Sequence, residues 1–362
     1  MKKFIFIIVL VFSFTLMSGC NNSTTNNNND NPPKEQGDTQ DPSSNDDEVT
    51  YEIKDYYPFE ANTKYIYEGN GNEYASYNTF VDYLKDSRMQ LRVDNGGSQL
   101  MKVIENKNGQ LQVIESRGEI YYRENLTSKE GTTNEILLKE PLIKGTSWTL
   151  PDGKKRYISN TDVKVTTPLG TYTSIEVTTE GKDYKNTDYY ALNIGLVKTV
   201  YSSNETTVTS SLAKIENNSS FVQNIKFYYP NIAEDKMYFA YKNISFKTND
   251  ITKSKFEKAF KESLGNKTEK LLGPDVRINS LYLNKDNIVY VDFSKEFTTQ
   301  MNAGSGYELM ILQCITNTLG EYYGVNKVYI TIEGKPYSSG HILMQKGETF
   351  SVNTKNSIEY KK

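Results

Sequence analysis

Residues 88–94, 99–105, 110–115 and 119–124 each alternate apolar and polar side chains, and turn residues such as Asn95-Gly96-Gly97 and Asn108-Gly109 separate them. A period of two places alternate side chains on opposite faces of an extended chain, and an Asn-Gly pair supplies the positive φ of a tight hairpin turn. Such runs in succession predict an antiparallel meander, with no helix of useful length. The style continues through residues 141–148 (PLIKGTSW), 161–172 (TDVKVTTPLGTY), 175–179 and 189–198 (YYALNIGLVK). From Tyr51 to about residue 218 the chain is therefore expected to be antiparallel β, as a meander or a sandwich.

The pattern changes after the polar stretch Glu216-Asn-Asn-Ser-Ser220. Strands are expected at residues 223–230 and 237–246. A helix capped by Asp250 or Thr252 follows, with Phe256, Phe260 and Leu264 on one face and Gly265 at its end. A hairpin is expected over 278–283 and 287–293, turning at Lys285-Asp286-Asn287. A second helix runs from Tyr307 to Leu319 behind Gly304 and Gly306, with a stripe through Met310, Ile311, Cys314, Ile315 and Thr318. A last strand covers 325–334. Mixed periods of 2 and 3.6 imply helices packed on a small mixed sheet in two layers. The expected fold class is α+β, with folded regions at 51–218 and 221–362.

Ahead of these regions, residues 1–20 (MKKFIFIIVLVFSFTLMSGC) carry Lys2 and Lys3, an apolar run from Phe4 to about Leu16, then Ser18, Gly19 and Cys20. This is the layout of a secretory signal peptide, and the run is short of the roughly 20 residues a membrane span needs. Residues 16–20 (LMSGC) resemble a bacterial lipobox, with Met17 where Leu is usual. The resemblance implies cleavage before Cys20 and lipidation of its sulfur. Residues 21–50 hold one aliphatic residue, Val49, and no aromatic. They cannot bury enough apolar surface to offset the entropy of ordering, so they are expected to be a disordered tether. The expected location is the extracytoplasmic face of a cell membrane, held by lipid. The abundance of Lys, Asn, Ile and Tyr, with AT-rich codons, points to a Gram-positive host.

With 42 Lys and Arg against 45 Asp and Glu, the net charge is −3, and no basic block marks a nucleic-acid surface. One His and two Cys leave no disulfide framework and no metal-ligand spacing. Cys314 is expected to be a buried, inert thiol in its helix. Gly304-Ser-Gly306 lacks the third glycine of a dinucleotide fingerprint, since Leu309 stands there, so it reads as a helix start. Ser338, Ser339 and His341 lie close in sequence, but no Gly-x-Ser-x-Gly elbow accompanies them. Nothing singles out a carboxylate pair for glycan hydrolysis. No catalytic residue, metal site or cofactor is expected.

Two resemblances add to this. The phrases at 141–148, 167–172 and 189–198, spanning about residues 57–215, resemble a β-module of bacterial surface lipoproteins. Residues 289–297 (VYVDFSKEF), the glycines at 304 and 306 with Glu308, 315–319 (ITNTL), 325–336 (VNKVYITIEGKP) and Gly340 resemble a GerMN domain of sporulation and spore germination. That resemblance implies an extracytoplasmic α/β domain related to ring-building motifs, acting through protein contacts and without catalysis. GerM proteins carry two such domains in tandem, whereas only one is visible in this sequence.

The expected function is therefore a lipid-anchored, non-enzymatic protein that docks on a protein partner in an envelope or sporulation assembly. The alternative rests on tyrosine, of which there are 28 against 15 Phe and one Trp. Tyr51, Tyr56, Tyr57, Tyr65, Tyr67, Tyr74, Tyr77 and Tyr83 crowd the first region. They either suit half-buried strands or form a platform for an envelope glycan, such as peptidoglycan, or a peptide. A tyrosine stripe on a concave sheet favours ligand binding, and a bare edge strand in the second region favours assembly.

Overall fold

The computed structural model describes residues 50–361. The signal peptide, Cys20 and the tether up to residue 49 lie outside them. A one-turn helix, α1 (Ile53–Tyr56), precedes twelve strands. The first six are β1 (Lys64–Asn70), β2 (Tyr77–Lys85), β3 (Arg88–Asp94), β4 (Gln99–Lys107), β5 (Gln110–Gly118) and β6 (Glu135–Lys139). The second six are β7 (Ser147–Thr149), β8 (Lys155–Thr166), β9 (Thr171–Glu180), β10 (Tyr184–Ala191), β11 (Gly195–Ser203) and β12 (Thr207–Glu216).

All twelve form one antiparallel sheet in the order β6-β5-β4-β3-β2-β1-β12-β11-β10-β9-β8-β7. The expected alternative of a two-sheet sandwich is corrected here. The first strand pairs with the last, from Lys64↔Glu216 to Asn70↔Thr209, so the ladder is continuous. The sheet instead curls on itself. Register shifts place an extra residue on β2, β5, β6, β8, β11 and β12, and such bulges bend a strand and increase its twist. Curling brings Val81, Leu91, Ile104 and Val113 of one half into a common core with Ile158, Ile175, Val177 and Tyr190 of the other. The two edges meet through side chains. Trp148 Nε1 on β7 donates to the Ile136 carbonyl on β6 at 3.0 Å, and Arg156 on β8 reaches the same carbonyl at 2.7 Å.

Residues 119–124 are not the strand that their alternation predicts. Their carbonyls serve side chains instead of a ladder: Ile120 and Tyr122 accept from Arg92, and Glu124 accepts from Gln90.

The second region opens with β13 (Phe221–Asn231) and β14 (Lys236–Phe246), followed by α2 (Thr252–Phe260), β15 (Ile278–Leu283), β16 (Val289–Phe293), α3 (Glu296–Thr299), α4 (Ser305–Tyr323) and β17 (Lys327–Ile332). Three short strands close it, β18 (Lys335–Pro336), β19 (Phe350–Ser351) and β20 (Ser357–Glu359). Helix α2 ends one turn before Leu264, because the Phe260 carbonyl accepts from the amides of Leu271 and Leu272. The residue before it, Ile251, makes no side-chain cap; Asp250 instead accepts from the Lys247 amide and pairs with Lys255.

The expected two layers become three. β13, β14 and β20 form one sheet, β15 to β19 a second, mixed one, and α4 packs against strands of both. That is why α4 is buried on more than its apolar stripe. Thr318 Oγ1 accepts from the Tyr228 amide at 3.0 Å, and the Asn317 side chain brackets the backbone of Asn353 at 2.8 Å in both directions. Cys314 is free and buried, and burial pushes its thiol well above the ordinary range. The molecule is predominantly β, and from Glu52 onward the chain forms one compact unit.

The tight fit around α4 yields a prediction with an inverted sign. Replacing a mid-helix glycine with alanine ordinarily stabilises by about 1 kcal/mol. At Gly320, however, a Cβ would stand 2.2 Å from Val352 Cγ2 and 2.8 Å from the Val325 carbonyl oxygen. Gly320→Ala is expected to destabilise by about 1–3 kcal/mol in denaturant unfolding, as overpacking does, and Val352→Ala in the same chain should recover part of it. A stabilised Gly320→Ala would contradict this packing.

Candidate functional site

Three places gather polar groups: the junction of the two regions, a cavity inside the curled sheet, and a groove beside β15. The junction begins at a bulge. Val81 pairs with Leu91 and Tyr83 with Gln90, so Asp82 is the extra residue and turns with Tyr83 to the outer face of the sheet. There Asp82 meets two arginines, all three essentially without solvent exposure. Arg92 approaches Asp82 Oδ2 at 2.9 Å, and Arg123 Nε lies 3.4 Å from Oδ1. Arg92 also donates to the Ile120 and Tyr122 carbonyls. Arg123 donates to the carbonyls of Asp82 and Asp250, and its plane lies between the rings of Tyr83 and Phe246, 4.7 and 4.5 Å from their centroids. Phe246 and Asp250 belong to the second region, so the cluster spans the join. Asn62 and Thr248 exchange backbone-to-side-chain bonds of 2.7 and 2.9 Å beside it, and Tyr322 Oη accepts from the Arg123 amide.

The cavity, of about 390 Å³, lies within the curl. One wall is apolar, with Met89, Leu91, Ile104 and Val113 from β3 to β5. The opposite wall is polar, with Asn186, Asp188, Thr199 and Ser210 from β10 to β12. Tyr57, Tyr65, Tyr67, Tyr77 and Tyr190 line the space between them. Four of the eight tyrosines singled out in the sequence thus come together here. Tyr83 is buried at the junction, and Tyr51 and Tyr74 are exposed. Tyr67 and Tyr77 stack at 4.5 Å, and Tyr67 donates to the Leu196 carbonyl. Asp188 accepts from Thr199 Oγ1 at 2.7 Å and from Asn186 at 3.1 Å. Desolvation raises its carboxyl above the ordinary range, and desolvation likewise pushes Tyr65 up to about 12. Arg156 faces this wall already engaged, by Thr179, Glu135 and the Ile136 carbonyl.

The groove, of about 700 Å³, runs between β15 and residues 83–85 and 123–129. β15 ends its sheet and pairs only with β16. Lys253 and Glu257 of α2 bond the backbone at its start, whereas Leu281, Tyr282 and Leu283 line the groove with Ile251. Lys85, Lys253 and Lys285 border it, and none of these has an ion pair among the described residues. Tyr282 stacks on Tyr290 at 5.5 Å, and Tyr290 meets Tyr329 at 5.1 Å, so a row of rings crosses β15, β16 and β17.

Of the residues weighed for catalysis, Gly304 and Ser339 hold structural positions. Gly304 is the N-cap of α4. Ser339 donates to Glu308 and accepts from the amides of His341 and Ile342, while His341 is exposed. Among the described residues no group of His, Cys, Asp and Glu could hold a metal ion.

Residues 226–338, from β13 to just past β18, match the family model Germane, described as sporulation and spore germination. The chain carries a GerM-type domain. Among solved structures, the tandem GerMN domains of the Bacillus subtilis sporulation protein GerM are 20% identical over 35% of this chain and 45% of that one, with a TM-score of 0.26. The first GerMN domain of the same protein is 21% identical over 34% of this chain and 94% of that one, with a TM-score of 0.25. A Bacteroides fragilis protein with a YmcC-like fold is 14% identical over 45% of this chain and 99% of that one, with a TM-score of 0.27. The present chain thus spans under half of the tandem GerM structure. No curated protein matches it.

Two predictions follow from this geometry. Removing Asp82 strands two buried guanidinium groups without their carboxylate, so Asp82→Ala is expected to cost about 3–5 kcal/mol in urea unfolding. A loss below 1 kcal/mol would contradict the cluster. The second concerns Asp188, whose raised folded-state value means the folded chain holds the proton more tightly than the unfolded one. Its contribution is complete below the unfolded carboxyl range, about 3.9, and is lost as pH rises through the folded value. Asp188→Asn should therefore gain stability relative to the parent between pH 4 and pH 7. A difference that does not change with pH would contradict the burial of this group.

Proposed function

We propose that this is a non-enzymatic, lipid-anchored extracytoplasmic protein that docks on a protein partner during sporulation or germination. The Germane match supports the setting. The sequence of residues 16–20 supports the anchor, through Cys20. No described helix is long and apolar enough to cross a membrane. The observation that carries the docking role is the groove along β15. An edge strand offers unpaired backbone groups to an incoming extended segment, with pockets for its alternate side chains. Here Leu281 and Leu283 supply the apolar floor, and Lys85, Lys253 and Lys285 supply positive charge that no ion pair among the described residues neutralises. The occupant that fits is an extended, acidic and apolar segment of another extracytoplasmic protein. The buried junction holds the curled sheet and the GerM-type domain together, so one docking event positions both.

The test is photo-crosslinking from position 282 in host cells, with the crosslinked peptide mapped by mass spectrometry. The expected product forms in sporulating cells, and its contact segment is acidic. Changing Lys85, Lys253 and Lys285 together to Glu should cut its yield several-fold, with a larger effect at low salt because surface charges are then less screened. Equal yield from the charge-reversed protein, or a product confined to vegetative cells, would overturn this reading.

A further inference from the structure

The docking groove leaves the cavity inside the curled sheet without a role, and the cavity is built differently from a packing defect. Empty cavities in proteins are lined by apolar groups, whereas this one has a polar wall. Tyr190 is only 3% exposed, yet its hydroxyl makes no hydrogen bond to a described residue. The hydroxyls of Tyr57 and Tyr77 likewise have no such partner, and both feel the charge of Asp188. Asp188 is enclosed by the protein, yet part of its surface remains accessible from within the curl. Asn186 and Asp188, bonded to each other and to Thr199, and the three phenols thus turn polar atoms into one space beside an apolar wall, the lining of a site whose ligand both packs and hydrogen-bonds.

We propose that this cavity binds a small uncharged saccharide of one or two rings. The space is near the lower end of the range for small-molecule sites, about 300–1,000 Å³. Its two walls set the chemistry. A sugar ring presents an apolar C–H face, which suits Met89, Leu91 and the tyrosine rings, and a hydroxyl rim, which suits Asn186, Asp188 and Tyr190. An alkyl chain would satisfy the apolar wall but leave the polar wall desolvated and unpaired. An anion would meet Asp188 and Glu135, and Arg156 is already engaged by Thr179, Glu135 and the Ile136 carbonyl. Lys102 is the other lining cation, on β4, half-exposed and without an ion pair among the described residues. It permits a sugar with a weakly anionic substituent pointing outward, but one lysine beside two carboxyls does not build an anion site.

The experiment is isothermal titration of the full chain with N,N′-diacetylchitobiose, and separately with dodecanol as an alkyl probe. Tyr77→Phe and Tyr190→Phe keep the rings and remove one hydroxyl each, so the fold should be retained. A matching thermal midpoint checks this. The expected result is saturable chitobiose binding, weakened about tenfold by either variant, as for loss of a single buried hydrogen bond. Tyr282→Ser, in the groove, should leave it unchanged. Binding of dodecanol alone, binding of neither probe, or chitobiose binding indifferent to both tyrosine variants would overturn the proposal. Because the crosslinking and the lysine reversals test the docking groove separately, either reading can fail while the other stands.

Discussion

The contact on which the rest of this structure depends is Asp82 between Arg92 and Arg123. A buried carboxylate or guanidinium is costly to desolvate, and a buried ion pair is weak evidence of net stability. What the cluster provides is geometry. Arg92 ties the loop at residues 119–124 to the sheet through two of its carbonyls, and Arg123 carries the same loop across to Phe246 and Asp250. The arginine planes lie on aromatic rings, Phe221 for one and Tyr83 with Phe246 for the other, so delocalised charge is partly compensated where water is absent. No apolar substitute would fix the relative placement of the two regions by the same number of directional bonds.

The second constraint is the way the large sheet ends. A twelve-stranded antiparallel sheet exposes two edges, and edges invite unwanted pairing. Bulges on six strands curl this sheet until β6 and β7 face each other, and Trp148 and Arg156 bridge them by side chain. A curl of twelve strands encloses more space than a small barrel, whose side chains fill its interior. The cavity is thus a consequence of the number of strands in the curl. Its tyrosines suit both surroundings, since each ring packs while its hydroxyl can face a polar space. The molecule therefore has two polar features with different access, one enclosed by the sheet and one open along β15.

The strands were largely legible because period-2 alternation is enforced by burial of one face, and Asn-Gly turns mark where it stops. In the second region the order of strands and helices followed from the switch to a 3.6-residue period. The failures have particular causes. Residues 119–124 alternate correctly but spend their carbonyls on Arg92 and Gln90, a long-range use that no local pattern shows. β12 was not distinguished, because Thr207–Glu216 is mostly polar and is held as a central strand by β1 and β11. Asp82 reads as one more polar residue in an alternating run, and no local pattern shows that the second region covers the outer face on which it lies. Of the cavity, Tyr57, Tyr65, Tyr67 and Tyr77 were visible as a cluster in sequence. Asp188 and Tyr190, more than 100 residues later, join them only through the pairing of the first strand with the last.

The central claim is that the curled sheet and the GerM-type domain behave as one body. Native-state hydrogen exchange of the full chain, read as a function of urea, tests it most directly. The account predicts that amides of β2 and β3 and those of β13 and α4 merge into one unfolding transition. Opening of the GerM-type domain at lower free energy, while β2 and β3 stay protected, would contradict it.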